Sequence, residues 1–133
     1  MRSRANSLKT LLWVRKFVRI TGILGLFAIA FLALVPGPAR PHVLSTGGAE
    51  HFFAYALTAL FVFGGYWSVF RPLALSSLLS LYAGFLELCQ LVAPGHEAKF
   101  TDFGLSVLGV LTALLLVALF YRATSRIFPS SRT

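Results

Sequence analysis

Apolar residues fall along this chain in four long blocks, Ile20–Val35, Phe52–Phe70, Leu73–Val92 and Phe103–Tyr121, each closed by polar or helix-breaking residues. A helix needs roughly 20 mostly apolar residues to cross a hydrocarbon core about 30 Å thick, and the blocks approach that length. The first ends at the Pro-Gly-Pro of Pro36 to Pro38, which cannot continue a helix. None alternates apolar and polar residues with the period of two that a membrane strand requires. Without water to satisfy the backbone, helices remain. The pattern predicts an all-α integral membrane bundle of four transmembrane helices.

Composition excludes a soluble domain: 57% of the 133 residues are hydrophobic, 12% are charged, and the mean hydropathy is +0.80. There is room for one domain, with a basic cytoplasmic or interfacial segment at 1–19, the four-helix region at 20–121 and a basic tail at 122–133. Lys and Arg set the orientation. With the N terminus inside, Arg2, Arg4, Lys9, Arg15, Lys16, Arg19, Arg71, Arg122, Arg126 and Arg132 are cytoplasmic, and Arg40 and Lys99 are outside. Both termini are then expected in the cytoplasm. The net charge of +8 reads as a topology signal and an attraction to anionic headgroups. No nucleic-acid partner is expected, since no nucleic-acid module is recognisable.

The basic start followed by an apolar run also resembles a signal peptide. However, the basic region is long, and the one small-x-small site, Ala28 to Ala30, lies inside the apolar run, so an uncleaved anchor is expected. Residues Leu8 to Val18 mix Leu8, Leu11, Leu12, Trp13 and Phe17 with Lys and Arg. They suit either an interfacial helix or an extension of the first span. The single Cys89 cannot form an internal disulfide and reads as a small packing residue.

Chemistry gathers in one stretch, FLELCQLVAPGHEAKFTDFGLSVLG, residues Phe85 to Gly109, which holds three of the four acids. All four, Glu50, Glu87, Glu97 and Asp102, fall on the outer side, partly because bases are kept inside. Glu87 differs because it lies within a span, about six residues from its outer end and so roughly 9 Å below the surface. His51 opens the second helix with Tyr55 one turn deeper, Gln90 lies one turn outward of Glu87, and Asp102 opens the fourth helix with Ser106 on the same face. Small residues continue these faces through Gly84, Ser80 and Ser77 in one helix and Gly109 and Ala113 in the other, spacing that suits close packing. The faces are therefore expected to turn inward and converge. Interhelical hydrogen bonds alone could be made by neutral side chains for about 0.6 kcal/mol each. A carboxylate at membrane depth is costly, which favours a functional reading of Glu87. Between these helices, Pro94 and Gly95 signal a turn, and His96, Glu97 and Lys99 form a polar loop beside the site.

The run EHFFAY, then E-x-x-Q ahead of a Pro-Gly turn, then DFGLSVLG, resembles the VanZ-like family of small bacterial membrane proteins. The likeness covers about Gly47 to Leu116, with Glu87, Gln90, Pro94, Gly95, Asp102 and Gly109 in register and His51 and Tyr55 matching the earlier part. Departures are Gly47 and Gly48 where an Asp-Lys pair is common, His96 for the Arg of P-G-R, and Ser106 for an Asn. The founding member of that family is linked to low-level teicoplanin resistance, and the glycopeptide acts on lipid-linked cell-wall precursors at the outer membrane face. The resemblance therefore implies a multi-pass protein of the bacterial inner membrane with a role at the cell envelope.

The residues point first to a pocket of His51, Tyr55, Glu87, Gln90, Asp102, Ser106 and His96 in the outer leaflet that binds or modulates a lipid or cell-envelope molecule, with the bilayer itself as partner. The alternative is a membrane hydrolase or headgroup transferase at the same place, with His51 and a carboxylate as acid and base. There is no G-x-S-x-G, no H-E-x-x-H and no phosphate loop. One His and two carboxylates could ligate a divalent ion, but spacing across three helices does not single out a metal, and no cofactor is expected. A transporter fits poorly, since no inverted repeat appears and the inner half of each span lacks charge.

Overall fold

The computed structural model describes residues 2–36, 47–92 and 99–127. Within them the chain forms four helices, α1 (Arg2–Leu34), α2 (Gly47–Tyr66), α3 (Pro72–Gln90) and α4 (Phe100–Ile127). Three stretches, Asn6–Leu34, Pro72–Gln90 and Phe100–Ser125, are long and apolar enough to cross a membrane, which suggests a membrane protein. The α2 helix falls outside that set because Glu50, His51, Tyr55 and Thr58 dilute its apolar residues.

Local sequence explains the helix boundaries. No Gly or Pro interrupts the chain between Arg2 and Gly22, so Leu8 to Val18 is a continuous part of α1. At 33 residues α1 is about 50 Å long, well beyond a hydrocarbon core. It stops where Pro36 removes the next donor. The α2 helix begins at Gly47, ahead of the apolar block, and ends at Tyr66 rather than Phe70. There the amides of Val69 and Phe70 both turn onto Tyr66 O, at 2.9 and 3.1 Å, closing the chain into a bend. Pro72 then starts α3 and holds Arg71 extended at φ −65°, ψ 128°. The amides of Leu91 and Val92 reach back three residues to Leu88 O and Cys89 O at 3.2 Å, tightening the end of α3.

Packing centres on α2, which lies against α4 most extensively and against α1 next. The α2 and α4 backbones nearly touch at Gly109, where a Cβ would stand 2.5 Å from Phe52 O. Gly22 of α1 plays the same part, since a Cβ there would lie 3.1 Å from the Val62 amide nitrogen. Tyr55, Ala59, Val62, Phe63, Val110 and Ala113 fill the seam between these helices, joined by Leu75, Leu79 and Ala83 of α3. Tyr82 ties α3 to α1 by donating to Leu26 O at 2.7 Å.

The α3 seam differs from the expected one. Its buried face is Leu75, Ser76, Leu79, Ala83, Leu86 and Gln90, whereas Ser77 is exposed and bonds back to Leu73 O. Because α3 stands further from α2 than α4 does, Leu75, Leu79 and Leu86 fill much of the gap beside Ser76 and Ala83. Ser77, Ser80 and Gly84 instead line a groove open toward α4. On α4 the expected face holds, with Ser106, Gly109 and Ala113 all buried.

Successive helices run in opposite directions, so the C-terminal ends of α1 and α3 share one end of the bundle with the N-terminal ends of α2 and α4. The other end is basic and aromatic. There Arg19 Nε donates to Gly65 O at 2.9 Å with its guanidinium 4.8 Å over the Tyr66 ring, and Trp67 stacks on Tyr121 at 5.0 Å. Large apolar side chains such as Phe27, Phe31, Leu73, Leu81, Phe85 and Phe120 are exposed around the outside, as lipid-facing residues would be.

Candidate functional site

At the acidic end, the second turn of α2, the first turn of α4 and the last turn of α3 bring His51, Asp102 and Glu87 together. His51 lies between the two acids. Its Nδ1 is 3.8 Å from Glu87 Oε1 and its Nε2 is 3.9 Å from Asp102 Oδ2, with side-chain exposures of 11% for His51, 12% for Glu87 and 21% for Asp102. Both contacts exceed hydrogen-bond length, so any attraction across them is Coulombic and acts when the imidazole is protonated. Asp102 also falls in the first turn of α4, where the helix dipole favours a carboxylate.

Ser106 stands one turn further along α4, with Oγ 3.5 Å from His51 Nδ1. Its hydroxyl donates to Asp102 O at 2.9 Å, so toward the imidazole it can act only as an acceptor. At 1% exposure, with that proton committed, Ser106 is unsuited to act as a nucleophile. Ser106 and Asp102 thus orient the ring from behind.

In front of His51 a cavity of about 430 Å³ opens between α1, α2 and α3. His51, Tyr55, Glu87 and Gln90 all line it, whereas Asp102 and Ser106 reach it only through His51. Tyr55 and Gln90 are almost fully enclosed, and their polar groups are the deep and shallow neighbours of Glu87. The remaining wall is apolar, including Leu32, Ala33, Phe53, Leu57 and Leu86. An apolar cleft with a few convergent polar groups is the usual form of a small-molecule site.

Comparisons with known proteins return no match, whether to a family model, a curated protein or a solved structure.

Of the site residues expected from sequence, His51, Tyr55, Glu87, Gln90, Asp102 and Ser106 therefore come together around one ring and one cavity. His96, with Pro94, Gly95 and Glu97 of the same loop, lies outside the described residues. Sequence reading set Glu50 aside, yet it lines the cavity. The signal was available: Glu50, Phe53, Ala54 and Leu57 follow the i, i+3, i+4, i+7 spacing of one helix face, and all four face the cavity. The α1 wall, Ile29, Leu32 and Ala33, carries no polar residue that could have marked it. Among the described residues, no group of three or more His, Cys, Asp and Glu is arranged to hold a metal ion.

Proposed function

We propose that this chain is a VanZ-like protein of the bacterial inner membrane, with four spans and both termini in the cytoplasm, whose outer-leaflet pocket binds or modulates a lipid or cell-envelope molecule. The observation that carries this reading is the position of His51, held between acids from two other helices at the wall of an apolar cavity. A purely structural link between helices needs no carboxylate. Truncating one partner of an enclosed charge pair costs several kcal/mol, whereas a neutral pair of the same shape is about as stabilising.

Ten of the twelve Lys and Arg residues fall on the side of the termini under this topology, which supports the orientation. The α2 helix, at 20 residues, is about 30 Å long and could span, its polar side chains being covered by α1 and α4. A glycopeptide-related or other cell-wall role would rest on the VanZ-like resemblance of His51, Tyr55, Glu87, Gln90 and Asp102.

The test is extraction of the full chain with its surrounding lipid, followed by mass analysis of what it retains. The wild type should hold a specific lipid or envelope molecule that the His51→Ala, Glu87→Gln double variant loses. Equal retention by both would refute the reading. Because His51 faces the cavity with a carboxylate on either side, a second reading is a hydrolase or headgroup transferase using that imidazole as its base. It predicts a chemically altered lipid that accumulates with wild type and not with His51→Ala, and unaltered lipid in both cases would reject it.

A further inference from the structure

Glu87 lines a second and larger space. On the other side of α3, toward α4, a groove of about 820 Å³ runs from Lys99 at its mouth down past Glu87, Gly84, Ser80 and Ser77. Both spaces fall in the range of roughly 300–1,000 Å³ typical of ligand sites. The helical geometry explains the sharing. Glu87 is four residues from Ala83, which faces the first cavity, and three from Gly84, which faces the groove, so its side chain borders both. Ser77, Ser80 and Gly84, the small residues on the α4 side of α3, make the floor of this groove, with Gly84 against the Phe103 ring. Its sides are Leu81, Phe85, Leu88, Phe100 and Phe103, and most of these are widely exposed.

We infer that the groove between α3 and α4 seats a phospholipid carrying a primary amine, with an acyl chain along Gly84, Ser80 and Ser77, its phosphate at Lys99 and its ammonium turned inward to Glu87. The chemistry follows from the two charges that line the space. A cation at the mouth matches a phosphate, and a carboxylate behind it matches an ammonium, so the pair complements a zwitterionic headgroup. An anionic glycerol headgroup would satisfy Lys99 and set only hydroxyls against Glu87. The acyl chain enters from the side without crossing protein, because the groove walls are already exposed to the hydrocarbon. This inference rests on the proposed function in one respect, that Glu87 is a ligand-binding group.

The experiment is native mass spectrometry of the full purified chain given equimolar phosphatidylethanolamine and phosphatidylglycerol with identical acyl chains. Retention should favour the ethanolamine lipid roughly tenfold, the ratio that one charge-assisted hydrogen bond supplies. Lys99→Gln should lower retention of both lipids, since each presents a phosphate to it, and Glu87→Gln should abolish the preference. Leu88→Trp should reduce retention of the ethanolamine lipid to that of the glycerol lipid. Leu88 lines the groove but not the first cavity and is 65% exposed, so the larger ring fills the groove without disturbing the core. Equal retention of the two lipids, a preference for the glycerol lipid, or unchanged retention in Leu88→Trp would each overturn the inference. Should the preference be absent while the His51→Ala, Glu87→Gln variant still loses its native ligand, only the groove assignment falls. Loss of that second difference as well would remove the function from which it starts.

Discussion

Gly109 is the point at which packing and the site meet, and replacing it by Ala tests both. A Cβ at this position would stand 2.5 Å from Phe52 O and 3.0 Å from the Ala56 nitrogen, and neither is the end of a side chain that could swing away. Ordinary contact begins at 3.4 Å, so α2 and α4 must separate by 3.4 − 2.5 = 0.9 Å beside Phe52. Overpacking of this kind costs about 1–3 kcal/mol. Ala also raises helix propensity over Gly by about 1 kcal/mol, a gain that would mask part of the loss. Gly104 in the same helix supplies the control, since a Cβ there meets nothing within 4 Å. The difference in unfolding free energy between Gly109→Ala and Gly104→Ala, from dodecyl sulfate titration in mixed micelles, should therefore be about 1–3 kcal/mol. Because His51 adjoins Phe52, the same shift should move the imidazole from Asp102 and weaken ligand retention. Equal stability of the two variants would show that the α2–α4 backbone contact is not as close as described.

Three further outcomes follow from particular contacts. Tyr82→Phe removes the bond to Leu26 O and should cost about 0.5–1.5 kcal/mol by the same titration, with no change in ligand retention. Arg19→Lys keeps the charge but loses the planar group over Tyr66 and the Nε bond to Gly65 O, so it should destabilise by about 1 kcal/mol; a neutral result would reduce Arg19 to a topology signal. The double variant His51→Leu, Glu87→Leu should leave stability unchanged or higher while abolishing ligand retention, since apolar replacement of a whole enclosed pair is often neutral or stabilising. A large loss of stability in that double variant would instead make the pair a structural strut.

Much of this was legible in the sequence, for reasons tied to individual residues. The period and length of the apolar blocks gave four helices, and the intramembrane acid at Glu87 pointed toward His51 and Asp102 because each opens or closes a helix at the same end. Helix edges were harder to read. The α2 helix starts earlier than its apolar block because Gly47 to His51 needs only a helical backbone, not an apolar one. Its end at Tyr66 is set by the approach to Pro72 rather than by hydropathy. The α3 seam was misread because spacing shows which residues share a face but not which neighbour that face meets. Gly84, Ser80 and Ser77 do share one, and it is the side of the groove. Glu50 was set aside because keeping bases inside already accounts in part for acids outside, and only the tertiary position of α3 and α1 turns it into a cavity wall.

The distribution of polarity among the helices has a physical logic. A helix that faces lipid must be apolar on that face, so α1, α3 and α4, which carry most of the exposed Leu and Phe, have little room for charge. The α2 helix is held between α1 and α4, and its polar N-terminal turns face the cavity on one side and Asp102 of α4 on the other. It can therefore carry Glu50, His51, Tyr55 and Thr58 at the lowest energetic cost of the four, and the same residues are what remove it from the set of apolar spans. Asp102 and Glu87, on helices apolar enough to cross a membrane, lie near the helix ends and turn toward α2, with His51 as their common neighbour. The bases Arg15, Arg19, Arg71 and Arg122 stand at the opposite end, too far to neutralise the acids through contact. An acidic pocket on one side of the bundle and a basic rim on the other can persist together only because the apolar length of the helices separates them, and Lys99 at the groove mouth is the exception that gives the acidic end its one described Lys or Arg.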